Sequence, residues 1–392
     1  MLLLFVMATL MSTFPALYMR WFGISYGPVV DSLLFGLGVL GAAFMLSWAA
    51  EIAQMDISRG LALAILALIA ILPEYAVDLY FAWMAAREPK YAQYAVANMT
   101  GANRLLVGAG WPFIVLLFYL KFRRPRIHLD TGNRAEISYL TLATLYAFLI
   151  PIKGDLDMID CLILVGIFAA YTWRTALMEV HEPELVGPPR LMAGLSAGKR
   201  RLANGLLFLY AGIVILASAE PFAEGLIHTG ETLGIDEFIL VQWVAPIASE
   251  APEFIIAALW TLRGQAIPAI GALISSKVNQ WTLLVGTIPL VYSISLGQIG
   301  QMPFDHRQQM EILLTAAQSI FAVLILMNLV ISLTEAAALF ILFTAQLIYP
   351  EIHTEVSFLY LFLSAILVFR RRKDFGPLIR EGLIPTRRGR KA

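Results

Sequence analysis

Twelve long apolar runs constrain this chain more than any other feature. A hydrocarbon core about 30 Å thick is crossed by roughly 20 apolar residues in helical form. The runs are Leu2–Met19, Pro28–Ala50, Gly60–Ala86, Tyr91–Leu120, Glu136–Ile152, Met158–Trp173, Leu202–Phe222, Asp236–Leu262, Ala266–Ser295, Met310–Val330, Leu333–Tyr349 and Val356–Phe369. Composition agrees. Of 392 residues 59% are apolar and 14% charged, where soluble domains show about 45–50% and about 25%, and mean hydropathy is +0.75. These features predict an all-α polytopic membrane protein. They argue against a soluble enzyme, a nucleic-acid binder and a disordered scaffold. Twenty-eight basic residues balance 28 acidic ones, so net charge names no polyanionic partner. Cys161 stands alone, which excludes a disulfide framework and a thiolate metal cluster.

The fourth and ninth runs are too long for one straight span. Each holds glycine and proline (Gly101, Gly108, Gly110 and Pro112; Gly271, Gly286 and Pro289), which predicts a break or kink. The first run lacks a basic start and a small-residue cleavage site, so it reads as a retained helix rather than a signal peptide. Arg174–Arg201, with Pro183, Gly187, Pro188 and Pro189, is the longest polar connection and divides the chain into halves. With the C-terminal tail placed in the cytoplasm, counting spans backwards puts 21 Lys and Arg on the cytoplasmic face and five on the other, leaving Arg104 and Lys277 inside spans. That bias predicts twelve spans with both termini cytoplasmic.

The halves resemble each other. Leu72-Pro73-Glu74-Tyr75 returns as Ala251-Pro252-Glu253-Phe254, 179 residues on, and Leu105-Leu106-Val107-Gly108 returns as Leu283-Leu284-Val285-Gly286, 178 residues on. Each half holds five spans, so the second enters the membrane from the opposite side. Two inverted five-helix repeats with one additional transmembrane helix at each end follow. The predicted segments are 1–27, 28–174, a cytoplasmic linker at 175–201, 202–349, and 350–392 with its basic tail. Inverted repeats place a substrate site near the midplane in many secondary transporters.

Charge inside the spans points to that substrate. Glu74 and Asp78 lie four apart, and Glu250 and Glu253 three apart, so each pair shares a helix face. An ionised side chain at the bilayer centre costs at least about 2.5–3.5 kcal/mol, so four acids need a compensating role. Carboxylates are hard oxygen ligands suited to Ca2+ and Na+, and crowded acids resist simultaneous ionisation, which lets them trade metal for protons. Asn98, Asn103, Ser249, Ser275, Ser276, Asn279 and Gln280 offer neutral oxygens; interhelical hydrogen bonding is their other reading. Pro73 and Pro252 each free a carbonyl and bend their helices.

These motifs resemble the cation/calcium antiporters, which include sodium/calcium and calcium/proton exchangers. Each family repeat carries a motif like G-T-S-x-P-E followed by G-N-x-x-G-S-N. Leu72-Pro73-Glu74 with Ala97 to Asn103 is similar to the first, and Ala248 to Glu253 with Gly271 to Lys277 to the second. The resemblance covers roughly 28–349. It implies an antiporter that moves Ca2+ or a similar cation against Na+ or H+ by alternating access, with Glu74 and Glu253 as central ligands. Departures are specific: Ala70 and Ile71 replace hydroxyl residues, Glu250 stands at a family Ser, Asp78 at a Ser/Thr, Ala272 at an Asn and Lys277 at the Asn of G-S-N. Lys277 either competes with the cation or pairs permanently with Glu250. Arg104, which does not deprotonate, is expected to pair with Asp78 or to face a polar cavity.

The same-class alternative is a monovalent cation/proton antiporter in which Lys277 and the acids trade protons. A membrane hydrolase lacks support, since no HExxH, GxSxG or paired-His pattern is present, and an ion sensor would need an output domain for which no segment is long enough. No cofactor is implied beyond the transported ions Ca2+, Na+ or H+. The expected partners are those cations and the bilayer, with no nucleic acid and no deducible protein.

Overall fold

The computed structural model describes residues 2–53, 55, 72–177, 185 and 187–383. Arg59, Ala70, Ile71, the first part of the third run, Pro183 and the tail beyond Leu383 therefore lie outside the described residues. Every predicted run overlaps helix where it is described. Among the described residues, nine helices are long and apolar enough to cross a membrane, and Leu333–Ile348 is a shorter apolar helix. The chain is an all-helical, multi-pass membrane protein.

The expected breaks take a gentler form. The fourth run is α-helical over Tyr91–Leu105, widens into one π-helical turn at Leu106–Gly110, and resumes as α-helix over Trp111–Phe122. The ninth does the same: Ala266–Asn279, a π turn at Gln280–Leu284, then Val285–Leu296. A π turn lodges an extra residue without exposing backbone polar groups to lipid, so neither helix has to unwind. Elsewhere boundaries shift. The seventh run lengthens to Ala197–Leu233 with Pro221 inside it, and the tenth ends at Leu326, leaving Val330 to a short strand.

The chain divides into two units, each assembled from both halves of the sequence. Unit 1 comprises Met1–Ala102, Val180–Ile256 and Val291–Ile299; unit 2 comprises Asn103–Glu179, Ala257–Leu290 and Gly300–Ala392.

In unit 1 the Pro28–Ala53 helix packs along Ala197–Leu233 through Ala42, Phe44, Met45, Leu46 and Trp48 against Ala211, Val214 and Ile215. Small residues allow the close approach: a Cβ at Gly38 would stand 2.7 Å from that of Ala16 and 3.2 Å from Ser218 Oγ. Where lipid is as apolar as the side chains, such packing is what holds helices together. Polar ties add direction. Tyr80 and Tyr91 both donate to Glu224 Oε1, at 2.5 and 2.7 Å, fastening Leu72–Ala85 and the start of the Tyr91–Leu105 helix to Ala197–Leu233. Gly101 lets the Tyr91–Leu105 helix lie directly on the Glu237–Leu262 backbone, because a Cβ there would overlap the Gln242 carbonyl.

Unit 2 surrounds the His306–Leu326 helix, whose Ile312, Leu314, Ala316, Ala317, Ala322 and Val323 are wholly buried. Two short antiparallel ribbons tie distant segments together, Arg126–His128 with Val330–Ser332 and Asp155–Leu156 with Met302–Pro303. Helix starts are capped beside them. Asp157 accepts from the Ile159 and Asp160 amides at 2.7 and 3.1 Å, and the Ser332 and Glu335 side chains cap reciprocally.

Gly101 supplies a direct test of the backbone contact in unit 1. Gly101→Ala forces two helix backbones apart, a strain of about 1–3 kcal/mol. The variant's melting temperature in detergent should fall clearly, whereas Gly166→Ala, at a position with open space, should leave it near the parent value.

Candidate functional site

Every sequence-predicted acid lies in unit 1. Glu74 and Asp78 stand one turn apart on Leu72–Ala85, with relative exposures of 2% and 0%. Pro73 sits in the first described turn of that helix, so the expected kink before Glu74 falls outside the described residues. Glu250 and Glu253 occupy Glu237–Leu262, whose interior contains both Pro246 and Pro252. Glu250 is buried and Glu253 half-buried. Ser249 turns its hydroxyl back toward the Ala245 and Pro246 carbonyls of its own helix, at 3.3 Å each, which leaves its oxygen lone pairs to other groups.

Asn98 connects the set. Its amide nitrogen donates to Asp78 Oδ1 at 2.9 Å. The remaining oxygens of this pair, Asp78 Oδ2 and Asn98 Oδ1, are buried and take no hydrogen bond among the described residues. Buried polar oxygens are normally satisfied, so two orphaned side by side call for a partner of positive charge. The donor set is chemically a hard-cation set: carboxylate, amide and hydroxyl oxygens, with no sulfur and no imidazole. Those residues fit Ca2+ or a proton far better than a soft metal.

The remaining predicted residues lie in unit 2. Ser276 and Asn279 are buried there, and Ser276 Oγ and Asn279 Oδ1 take no hydrogen bond among the described residues. Lys277, fully buried, donates from Nζ to Asn103 Oδ1 at 2.7 Å and to the Asn103 carbonyl at 3.2 Å, and lies 4.7 Å from the centre of the Trp281 ring.

Arg104 differs from expectation. It was expected on Asp78 or in a polar cavity; instead its Nη2 ion-pairs with Glu311 Oε2 at 2.5 Å, both side chains buried. The physical reason is proximity within unit 2: Glu311 rises from the central His306–Leu326 helix, and Gln318 of that helix also reaches the Arg104 carbonyl at 3.4 Å. His353 completes the cluster, its Nδ1 2.9 Å from Glu311 Oε1 and its Nε2 2.9 Å from the Gln346 carbonyl. Glu311 was legible in principle, as an acid within an apolar stretch that matches an otherwise unassigned intramembrane arginine.

A second acidic group, Asp155, Asp157 and Asp160, gathers within 4.8 Å around the start of the Met158–Ala176 helix. One ammonium serves all three carboxylates. Lys153 Nζ lies 2.9 Å from Asp155 Oδ1 and 2.8 Å from Asp157 Oδ2, and also bonds Asp160 Oδ2. Burial works against ionisation of Asp157, but the hydrogen bond from Lys153 and those from the Asp160 and Ile159 amides outweigh it and hold its carboxyl below the usual range.

Two returning motifs, a π turn in each of the two long helices and buried acids within apolar runs are the marks of an ion-coupled antiporter. A model of the family "Sodium/calcium exchanger protein" matches residues 29–176 and 204–350, and the chain belongs to that family. It is therefore an antiporter that exchanges Ca2+ or a similar cation for Na+ or H+. Among solved structures it is similar to the H+/Ca2+ exchanger CAX, with 46% identity over 97% of each chain and a TM-score of 0.93. More distant likenesses show the fold alone: the sodium-calcium exchanger NCX_Mj at 16% identity (82% of this chain, 98% of that one, TM-score 0.55) and YfkE at 14% (88% and 98%, TM-score 0.62). No curated protein sequence matches significantly.

The Arg104–Glu311 pair makes a stability prediction independent of transport. Glu311→Gln strands a buried guanidinium and should cost about 3–5 kcal/mol, whereas Arg104→Met/Glu311→Met should recover most of the loss. Thermal unfolding of both variants in detergent checks this; equal destabilisation would show that the pair acts through something other than charge.

Proposed function

We propose that this antiporter moves Ca2+ against protons, with Glu74 and Glu253 as its central ligands. The observation that carries this reading is the Asp78–Asn98 pair: two buried oxygens with no hydrogen bond among the described residues, one turn from Glu74. Asp78, Glu250, Asn98 and Ser249 extend the oxygen set around the two central acids. Ser276 and Asn279 are proposed as further cation-contacting oxygens. Similarity to the H+/Ca2+ exchanger CAX supports the choice of ions.

The chemistry of exchange follows from dielectric. A carboxylate stripped of Ca2+ in an apolar interior carries an uncompensated charge, which costs several kcal/mol. Binding a proton removes that charge at once. Ca2+ and protons are thus alternative occupants of one set of oxygens, and neither leaves without the other replacing it. That mutual exclusion is what makes an antiporter rather than a channel.

Gln at position 74 or 253 keeps volume and removes the charge that holds the cation. Glu74→Gln and Glu253→Gln should each abolish Ca2+ uptake driven by a pH gradient in liposomes while the protein stays folded by size-exclusion chromatography. Either variant transporting near the parental rate would remove that residue from the central ligands.

We further propose that both termini are cytoplasmic, from the 21-to-5 distribution of Lys and Arg. On a background lacking Cys161, cysteines at positions 124 and 190 should be labelled from the cytoplasmic side, and those at 157 and 231 from the other. Labelling of 124 and 231 from one side would remove the inverted arrangement of the two repeats.

A further inference from the structure

Two residues stand at the same distance from the π turns of their helices. Asn103 stands three residues before the π turn at Leu106–Gly110, and Lys277 three residues before the one at Gln280–Leu284. They also meet: Lys277 Nζ donates to both the side-chain oxygen and the carbonyl of Asn103, at 2.7 and 3.2 Å, and lies over the Trp281 face. Asn103 therefore faces a positive charge where a symmetric pair would set amide against amide.

We propose that Lys277 is a tethered cation: its ammonium holds the neutral-oxygen site at Asn103 that a sodium ion would otherwise take, so that sodium is excluded as a counter-ion. This inference rests on the antiporter reading above and deepens it by assigning the selectivity to a residue.

The chemistry of recognition is shared. An ammonium and a sodium ion carry the same charge and are both held by amide and carbonyl oxygens in place of water. An aromatic face adds attraction for either. The lysine has the advantage of attachment, since a tethered group faces its site at an effective concentration of millimolar or more without losing translational freedom. A sodium ion arriving at Asn103 must expel an ammonium that is 0% exposed and leave it buried without these oxygens, a cost that free sodium cannot recover. Protons are not subject to this exclusion. They need one carboxylate oxygen and no cage.

The test uses the purified full-length chain and three substitutions. Lys277→Asn restores a neutral oxygen and removes the ammonium. Lys277→Met removes the ammonium and supplies no oxygen, and Lys277→Arg keeps a cation. In liposomes, replacing choline by sodium should leave Ca2+ uptake by the parent and by Lys277→Arg unchanged. Under a sodium gradient, Lys277→Asn alone should gain Ca2+ flux. A binding readout stands apart from transport: melting temperature in sodium chloride against choline chloride at equal ionic strength. Sodium at about ten times its dissociation constant should raise the folded-to-unfolded ratio of Lys277→Asn about tenfold, and leave that of the parent unchanged.

Sodium that drives Ca2+ through the parent, or that stabilises it, overturns the proposal. So does a Lys277→Asn variant that responds to sodium no more than Lys277→Met. Should Lys277→Asn not fold, Lys277→Gln takes its place, and the parent's own indifference to sodium still has to hold. A parent that moves no Ca2+ under any gradient removes the transport reading, while a sodium response confined to Lys277→Asn in the melting assay would keep the assignment of Lys277.

Discussion

A charge in hydrocarbon needs a partner, and the arrangement of this protein follows from that requirement. Arg104 has Glu311, and Lys277 has the oxygens of Asn103 and the face of Trp281. Asp78 takes an amide hydrogen bond from Asn98 on one oxygen, while the other is buried and has no hydrogen bond among the described residues. The two cations lie in unit 2 and the predicted acidic ligands in unit 1. A carboxylate neutralised by a resident arginine would be useless to a transported ion. Giving the arginine its own acid, Glu311, keeps its charge off Asp78, which is proposed to serve the transported ion.

The helical architecture was largely legible, because the same physics that forms it also patterns the sequence. A span must satisfy its own backbone and cover itself with apolar side chains, so every described helix that crosses the apolar region shows as a run. Charge asymmetry and the two returning motifs are what the expected repeat rests on. What stayed hidden was how a long run accommodates its excess length. Glycine and proline within Tyr91–Leu120 suggested a break, yet the chain widens by a single π turn after Arg104 and Leu105. Composition marks where a helix is weak; neighbouring packing decides whether it unwinds, kinks or broadens. Here Gly108 sits against Phe343, which a larger residue would displace.

The candidate acids were legible as charges within apolar runs, and their surroundings less so. Acids within apolar runs betray themselves by cost, and of the four singled out Glu74, Asp78 and Glu250 are buried and Glu253 half-buried. Partner choice depends on which helices become neighbours, and sequence separation says little about that. Glu311 lies 207 residues from Arg104 and Asn103 lies 174 from Lys277. Spacing along one helix can relate Glu74 to Asp78; no spacing rule relates Arg104 to Glu311. A complete charge inventory would have helped, since an arginine inside a span demands a buried acid somewhere.

Paired π turns connect the fold to its ion chemistry. In an ordinary α-helix, residues three and four apart stack on one face, so side chains near the middle of a long span project in fixed directions. One extra residue in a turn rotates everything beyond it. The π turns therefore let one helix present Asn98 and Asn103 in one register and pack Trp111 and Ile114, both wholly buried, in another. The second helix does likewise, with Ser276, Lys277 and Asn279 before the turn and Val285 and Ile288 after it. Ligand-bearing and packing stretches of the same span are set independently. That freedom lets the polar residues before each turn differ while the packing beyond it is kept, so that a neutral Asn103 and a charged Lys277 each stand three residues before a π turn.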